Sequence, residues 1–282
     1  MARASSAPGL FGKLFKAKAP PADVANILAL DLWPVAAYAV GDIHGCLGLY
    51  RELETRLDAD AASLGGVGLV VVLGDTIDRG PESAQVIDHL LGAPPQNLMR
   101  VVLRGNHEEM FEGFLNTPEP ASDWLHHGGI ETLASYGVDL AALRSGKLSA
   151  RKIGQMLDSL VPAEHRRFLR NLPDALILPP FMFVHAGVDV ALSPEHQTAR
   201  VLRWGNGSAH CALDYDGFPL KVAHGHTPTA DGKVEIRGQR INLDTGAYAS
   251  GKLSAVRLTP DGTVQVMEQI GSTSASVIER RI

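Results

Sequence analysis

Carboxylates, histidines and an asparagine recur directly after three short apolar runs in the first part of the chain. The motifs read Gly41-Asp42-Ile43-His44-Gly45, then Gly74-Asp75-Thr76-Ile77-Asp78-Arg79-Gly80, and then Arg104-Gly105-Asn106-His107-Glu108. Carboxylate oxygens, amide oxygens and imidazole nitrogens together form a ligand set that suits divalent transition metals. Each motif alone is weak evidence, since Gly-Asp pairs are common in turns, but the three together favour one shared metal site.

An arginine and two later histidine motifs extend this candidate site. Arg79 offers a planar fork of donors that matches phosphate oxygens. The alternative is a surface ion pair with Asp78, which usually contributes under about 1 kcal/mol. The later motifs read Phe183-Val184-His185-Ala186-Gly187 and His224-Gly225-His226-Thr227-Pro228. One histidine at a strand end is more often a packed, half-buried ring, but beside the earlier motifs metal binding is the favoured interpretation.

Parallel strands are expected to bring the first three motifs together. The apolar runs at 36–40, 69–73 and 100–103 each precede a glycine-containing loop and a helical pattern, which predicts repeated strand–loop–helix units. In open α/β sheets, ligands bind outside the carboxyl ends of the strands. The site is therefore expected at this edge of the sheet.

One catalytic domain is expected between two tails. Residues 1–34, rich in Pro, Ala and Ser, are interpreted as a flexible leader, 35–272 as the domain and 273–282 as a C-terminal tail. Within the domain, the helical pattern of 107–172 is interpreted as an insertion. Later β-rich runs predict a second, largely antiparallel sheet; they lie at 176–184, 220–223, 239–243, 252–258 and 263–268.

Composition limits the classes of partner. The 282 residues are 45% hydrophobic, enough for one sizeable core, and the net charge of −5 without basic blocks predicts no nucleic-acid binding. Cys46 and Cys211 lie far apart, which is typical of reduced thiols and favours a cytoplasmic protein. No apolar run reaches the roughly 18 residues of a transmembrane helix. A short amphipathic cluster at 10–18 is interpreted as part of a mobile tail, with contact to a membrane surface as the alternative.

The motifs GDIHG, GDTIDRG, GNHE, HAG and HGHTP resemble, in order and approximate spacing from 40 to 228, the phosphoprotein phosphatase family of calcineurin-like metallophosphoesterases. The bacterial serine/threonine protein phosphatases are the most similar type. The resemblance implies an α/β fold, a β-sandwich of two mixed sheets flanked by helices. The leader and the helical insertion lie outside it.

Carried over position by position, the resemblance implies two divalent ions. Asp42 and His44 would bind the first ion, and Asp75 would bridge both ions. The second site would be completed by Asn106, His185 and His226. Similarity to bacterial members with a GHT sequence favours His226 over His224 as the ligand. Mn²⁺ is the expected metal, with Fe and Zn²⁺ as alternatives, because mixed oxygen and nitrogen ligands accept all three.

The same resemblance assigns the catalytic groups. His107 would be the general acid, oriented by Asp78, while Arg79 and Asn106 would bind the phosphoryl group. The nucleophile would be a hydroxide shared by the two ions. The family usually has an arginine just after a tryptophan, whereas here Asn206 occupies that slot, so Arg203 or Arg200 is the candidate second phosphate ligand.

Serine/threonine-type protein phosphatase activity on a phosphoprotein or phosphopeptide is the expected function. It is favoured because DRG is followed by Pro81-Glu82-Ser83 and because GNHE, with Glu108, replaces the GNHD of bacterial dinucleotide hydrolases. Bis(5'-nucleosyl)-tetraphosphatase and phosphotyrosine phosphatase activities are the alternatives. A scaffold that binds phosphorylated partners without hydrolysis is the non-enzymatic alternative.

Overall fold

A computed structural model describes residues 24–145, 148–205 and 214–270. The strands are β1 (Ile27–Ala29), β2 (Ala37–Val40), β3 (Gly68–Val72), β4 (Leu98–Val102), β5 (Ala175–Leu178), β6 (Phe181–Val184), β7 (Lys221–His224), β8 (Glu235–Arg237), β9 (Arg240–Asn242), β10 (Lys252–Leu258) and β11 (Val264–Ile270). The helices are α1 (Leu47–Ser63), α2 (Ser83–Leu91), α3 (Asn106–Asn116), α4 (Gly129–Ser135), α5 (Leu140–Arg144), α6 (Ala150–Leu160), α7 (Ala163–Asn171), α8 (Ala199–Trp204) and α9 (Ala247–Ser250). The expected α/β class is confirmed.

Two mixed sheets pack face to face. The strand order is β11-β10-β2-β3-β4 in the five-stranded sheet and β1-β5-β6-β7-β9-β8 in the six-stranded sheet. Between them lies a buried cluster to which both sheets contribute, including Ala39, Val71, Leu176, Phe183 and Ile241. The opposite face of the five-stranded sheet packs against α1 and α2. The expected β-sandwich flanked by helices is therefore present.

The parallel core of the five-stranded sheet sets the position of the first three motifs. β2 pairs with β3, and β3 with β4, both in parallel, and Val40, Val72 and Val102 lie at the same level across the three strands. The segments after these residues consequently leave the sheet at one edge, as predicted. β2 and β3 are wholly buried because both faces of the sheet are covered, whereas the edge strand β4 is partly exposed.

The prediction of a largely antiparallel second sheet is wrong. β1–β5, β6–β7 and β7–β9 pair in parallel. β10 and β11 instead extend the first sheet, with β10 antiparallel to β2 and β11 antiparallel to β10. An apolar run predicts a strand but not its partner, and the long connection between β6 and β7 permits a parallel crossover. The run at 176–184 is divided by the turn at 179–180 into the antiparallel pair β5 and β6.

The expected leader does not extend to residue 34. β1 pairs with β5, and the indole nitrogen of Trp33 donates a hydrogen bond of 2.7 Å to the Pro179 carbonyl. Residues 24–34 thus belong to the folded domain. The amphipathic cluster at 10–18 and the tail at 273–282 lie outside the described residues.

The region 107–172 is helical, as predicted. Helices α3 to α7 and a 3₁₀ helix at Asp123–His127 surround a buried cluster that includes Phe111, Trp124, Leu133 and Leu157. Ile77, from the loop after β3, belongs to the same cluster. The helical region therefore packs directly on the second motif. Across the described ranges, no helix combines the length and apolar character needed to span a membrane.

Candidate metal centre

The Asp75 carboxylate lies at the middle of a buried group of imidazoles. Its Oδ1 is 3.3 Å from Nε2 of His185, and its Oδ2 is 3.7 Å from Nε2 of His44 and 3.8 Å from Nε2 of His107. Asp75 and all three histidines are at most 1% exposed. One carboxylate oxygen therefore faces each side of the cluster, as a bridging ligand requires.

Three of the expected ligands meet on the Oδ1 side of Asp75. The Asn106 side-chain oxygen is 2.9 Å from both His185 Nε2 and His226 Nδ1, and these two nitrogens are 3.2 Å apart. The ligand atoms of Asp75, His185 and His226 all lie within 4.8 Å of one another. This is a pocket of oxygen and nitrogen donors with the size of a cation site.

Asp42 and His44 form the opposite side. Oδ2 of Asp42 is 4.0 Å from Nε2 of His44, and the Asp42 oxygens accept the His226 backbone N–H at 3.2 and 3.0 Å. Nδ1 of His44 is 2.8 Å from the Ile77 carbonyl, which fixes its proton there and leaves a lone pair on Nε2. Nε2 is buried and has no hydrogen-bond partner among the described residues. An unpaired, buried lone pair beside two carboxylates fits a divalent cation.

The charges of the cluster are arranged for metal binding. Burial lowers the pKa of His44 to about 3, and burial together with the charge of His185 lowers the pKa of His226 to about 4, so both rings are neutral near pH 7. Burial opposes ionisation of Asp75, but the surrounding His185, His107 and His44 hold its pKa well below the usual range. Neutral imidazoles and an ionised carboxylate are the forms that bind metals, so His44, His226 and Asp75 are already in that form. Burial also lowers the pKa of His185, but the charge of Asp75 outweighs it and raises the pKa, so a metal ion would displace a proton from His185.

His107 forms a buried dyad with Asp78. Its Nδ1 is 2.6 Å from Asp78 Oδ2, and Asp78 is further fixed by the Trp124 indole at 2.6 Å and the Thr132 hydroxyl at 2.5 Å. Burial lowers the pKa of His107, but the charges of Asp75 and Asp78 outweigh it and raise the pKa above 6.5. His107 is therefore suited to hold a proton. Trp124 and Thr132 come from the helical region, and the sequence did not identify them as partners of Asp78.

Arg79 lies beside the dyad. Its Nη2 is 3.2 Å from Nε2 of His107, and its guanidinium carbon is 4.8 Å from the centre of the Tyr248 ring. Tyr248 also packs edge-on against His44 at 5.3 Å and is 43% exposed, so this edge of the site faces solvent. The guanidinium on His107 Nε2 disfavours a second cation there, although Nε2 lies within ligand distance of His44 and Asp75.

Glu108 holds two of the loops together and does not face the centre. Its Oε2 accepts the backbone N–H groups of Asp75 and Gly105, and its Oε1 accepts the N–H and hydroxyl of Thr76, all at 2.7–3.0 Å. The side chain is fully buried. A glutamate at this position stabilises the two loops. Its presence therefore does not indicate which substrate the site accepts.

Left-handed backbone conformations concentrate at the site. His44, Asp75, Asp78, Arg79 and His226 all have φ between 44° and 73°. Such backbone conformations are unfavourable for residues other than glycine and occur where contacts with the surrounding structure stabilise them. The loops are also in close contact, since a Cβ atom at Gly80 would lie 2.1 Å from the His44 carbonyl oxygen. This contact explains the glycine at the end of the second motif.

Two other sequence candidates lie outside this group of contacts. Arg203 pairs with Asp174 at 2.6 Å and with Glu109 at 3.4 Å, so its described contacts are structural ion pairs. Nε2 of His224 accepts the Arg240 Nε–H at 2.9 Å, which agrees with His226 as the ligand. Asn206 lies outside the described residues.

Comparisons with known proteins agree with this geometry. A family model described as calcineurin-like phosphoesterase matches residues 37–245, which include every residue of the cluster. The bis(5'-nucleosyl)-tetraphosphatase PrpE (asymmetrical) of Anoxybacillus flavithermus is 25% identical over 80% of this chain and 92% of its own length. The protein of the same name from Bacillus cereus is 23% identical with the same coverage.

Solved structures show the same fold. A crystal structure of a putative diadenosine tetraphosphatase has a TM-score of 0.56 and 20% identity, over 88% of this chain and all of the other. A cold-active protein-tyrosine phosphatase from a Shewanella species has a TM-score of 0.53 and 17% identity, over 93% of this chain and 88% of the other.

Proposed function

Since the chain belongs to the calcineurin-like phosphoesterase family, we propose that it hydrolyses dinucleoside tetraphosphates asymmetrically at the Asp75-centred site. The proposed substrate class rests on the similarity of this chain to bis(5'-nucleosyl)-tetraphosphatases over 92% of their length. Hydrolysis of a phosphate bond is the activity of the family, whereas the serine/threonine protein phosphatase activity expected from the sequence has no comparable support.

The residues of the cluster divide into two ligand sets. Asp42 and His44 would hold one divalent ion, and Asn106, His185 and His226 the other, with Asp75 between them. The ions would activate the attacking water and neutralise charge on the phosphoryl oxygens. The short distances from Asn106 to both histidines, 2.9 Å each, support a compact second site.

The dyad and Arg79 act on the phosphoryl group itself. In the proposed reaction Nε2 of His107 gives a proton to the leaving oxygen, and the 2.6 Å contact of Nδ1 with Asp78 supports this role because it stabilises the protonated ring. The Arg79 fork orients two phosphoryl oxygens beside that nitrogen. Because the ring is held between fixed partners, its position before the reaction requires little reorganisation.

Leaving-group chemistry separates the candidate substrates. A phosphate leaving group has a pKa of about 6, so it needs less protonation than a tyrosine phenol of pKa about 10 or a still more basic serine alkoxide. We therefore expect loss of His107 to reduce hydrolysis of phosphoserine peptides more than hydrolysis of dinucleoside tetraphosphates. This difference is a property of the reaction and does not depend on binding.

A direct comparison of substrates tests the proposal. With Mn²⁺, the purified protein is given diadenosine tetraphosphate, a phosphoserine peptide and a phosphotyrosine peptide, and kcat/KM is measured for each. We expect the dinucleotide to be preferred and to yield ATP and AMP in equal amounts. A higher kcat/KM for either peptide, or ADP as the only product, contradicts the proposal. If the protein binds the ions but hydrolyses none of the substrates, the non-enzymatic scaffold is supported instead. Asp75→Asn serves as the inactive control.

A further inference from the structure

A further buried aspartate, Asp244, lies at the edge where the cluster forms. It follows β9 by two residues and is 1% exposed. Its Oδ1 accepts the Gly246 N–H at 2.9 Å, and its backbone carbonyl accepts the Thr229 N–H at 2.9 Å. Its Oδ2 is buried and has no hydrogen-bond partner among the residues the structure describes. A buried carboxylate oxygen without a partner is costly unless a cation or donor compensates it.

Close backbone packing brings Asp244 beside the first-metal ligands. A Cβ atom at Gly41 would lie 2.4 Å from the Leu243 carbonyl oxygen, so the backbones preceding Asp42 and Asp244 are in contact. Asp42 and Asp244 therefore follow the ends of two strands, β2 and β9, that lie next to each other in different sheets. The two carboxylates interact electrostatically, and both side chains are buried, with Asp42 2% and Asp244 1% exposed.

The charge balance of the metal centre is compatible with a third carboxylate. Asp42 and Asp75 supply two negative charges, against four positive charges from two divalent ions. Asp244 also interacts electrostatically with Asp75, so all three carboxylates act on the same buried space. Without cations, three buried carboxylates repel one another; with cations, each becomes a stabilising partner.

We propose that Asp244 is a positioning residue of the metal centre, a third carboxylate that raises the affinity for the divalent ion bound by Asp42 and His44. Its Oδ1 accepts the Gly246 N–H and so holds the turn, while its Oδ2 is the buried oxygen without a partner among the described residues. The negative charge of this carboxylate interacts with that of Asp42. The proposal rests on the two-metal centre of the proposed function but not on the identity of the substrate.

Asp244→Asn separates this role from a purely structural one. An asparagine keeps an oxygen for the Gly246 N–H but removes the charge. The probe is Mn²⁺ titrated by calorimetry into protein freed of metal with a chelator. We expect one of the two ions to bind about 10–100-fold more weakly, while the other is little affected. The melting temperature of the metal-free variant should equal or exceed that of the wild type, because a repulsive buried charge is lost.

Controls make each outcome decisive. Asp231→Asn, a change of an exposed acidic residue that accepts a hydrogen bond from the Lys233 N–H, should bind both ions as the wild type does. If Asp244→Asn is poorly folded, Asp244→Ser provides a second uncharged variant with an oxygen acceptor. Wild-type affinity for both ions in a folded, uncharged variant overturns this proposal alone. Failure of the wild-type chain to bind two ions overturns it together with the proposed function.

Discussion

Nδ1 of His107 lies 2.6 Å from Oδ2 of Asp78, inside a site where both side chains are buried. Asp78 is held in turn by Trp124 and Thr132, so the orientation of the ring depends on the helical region as well as on the strand-end loops. Nε2, the nitrogen that would donate the proton in the proposed reaction, lies 3.2 Å from Nη2 of Arg79. The expected proton donor and the expected phosphate ligand are therefore neighbours in the site.

His107→Asn is expected to lower kcat for an ester substrate such as a phosphotyrosine peptide by about 10²–10⁴-fold, because the proton donor is lost. The metal content of the purified variant should remain that of the wild type. Steady-state kinetics and elemental analysis of the same sample provide the comparison. A parallel loss of metal and activity would instead make His107 a ligand.

Asp75→Asn is expected to deplete both ions, since one carboxylate oxygen faces each ligand set. His44→Asn should mainly weaken one ion, and asparagine tolerates the positive φ of 44° at this position. Counting ions per chain after dialysis distinguishes the two variants. Retention of two tightly bound ions by Asp75→Asn contradicts the bridging role.

Arg79→Lys is expected to lower kcat/KM by about 10²–10³-fold, because an ammonium group cannot reproduce two parallel hydrogen bonds to phosphate. Arg203→Lys is the matched control, since Arg203 is paired with Asp174 and Glu109. The control should change kcat/KM much less. An equal loss in both variants would restore Arg203 as a phosphate ligand.

Glu108→Gln is expected to lower the free energy of unfolding by about 1–3 kcal/mol. The carboxylate accepts hydrogen bonds from backbone N–H groups, and the NH₂ group of glutamine cannot accept them. Urea unfolding of the metal-free protein measures the change. Glu109→Gln alters the neighbouring residue, whose side chain is 39% exposed, and should cost less. Equal effects in the two variants would show that Glu108 does not hold the loops.

Acid should destabilise the metal-free protein through His226. Its pKa is lowered from 6.5 to about 4 by burial and by the charge of His185, so between these values the unfolded chain binds a proton that the folded chain does not. Stability contributed by the neutral ring is present above pH 6.5 and is lost as the pH falls towards 4. His226→Asn should therefore lose less stability between pH 7.5 and pH 5 than the wild type. His185 and His107, whose pKa values are raised, act in the opposite direction and are common to both proteins.

The convergence of the motifs was predictable because parallel strands share an edge. Asp42, Asp75 and Asn106 follow neighbouring strands, and their spacing along the chain was enough to place them together. Trp124 and Thr132 were not predictable as partners of Asp78, since an apolar helical pattern predicts a core but not which loop it contacts. Asp244 did have a detectable signal: it directly follows the predicted strand at 239–243, as Asp42 and Asp75 follow the runs at 36–40 and 69–73 after one glycine.

The positions of the strands were easier to predict from the sequence than their pairing partners. The three-residue strand β1 lies in a stretch rich in proline and shows no clear alternation, so only its pairing with β5 identifies it. The role of Glu108 also depended on coordinates, because the motif shows a carboxylate but not the direction in which it points. Local pattern determines the elements, whereas long-range packing determines what each element contacts.

Six separated side chains are expected to hold two divalent ions on either side of Asp75. Anomalous X-ray scattering from crystals grown with Mn²⁺ and phosphate locates such ions. We expect two Mn²⁺ peaks about 3.5–4 Å apart, one beside Asp42 and His44 and the other beside Asn106, His185 and His226. A single peak, or peaks away from Asp75, would contradict this expectation.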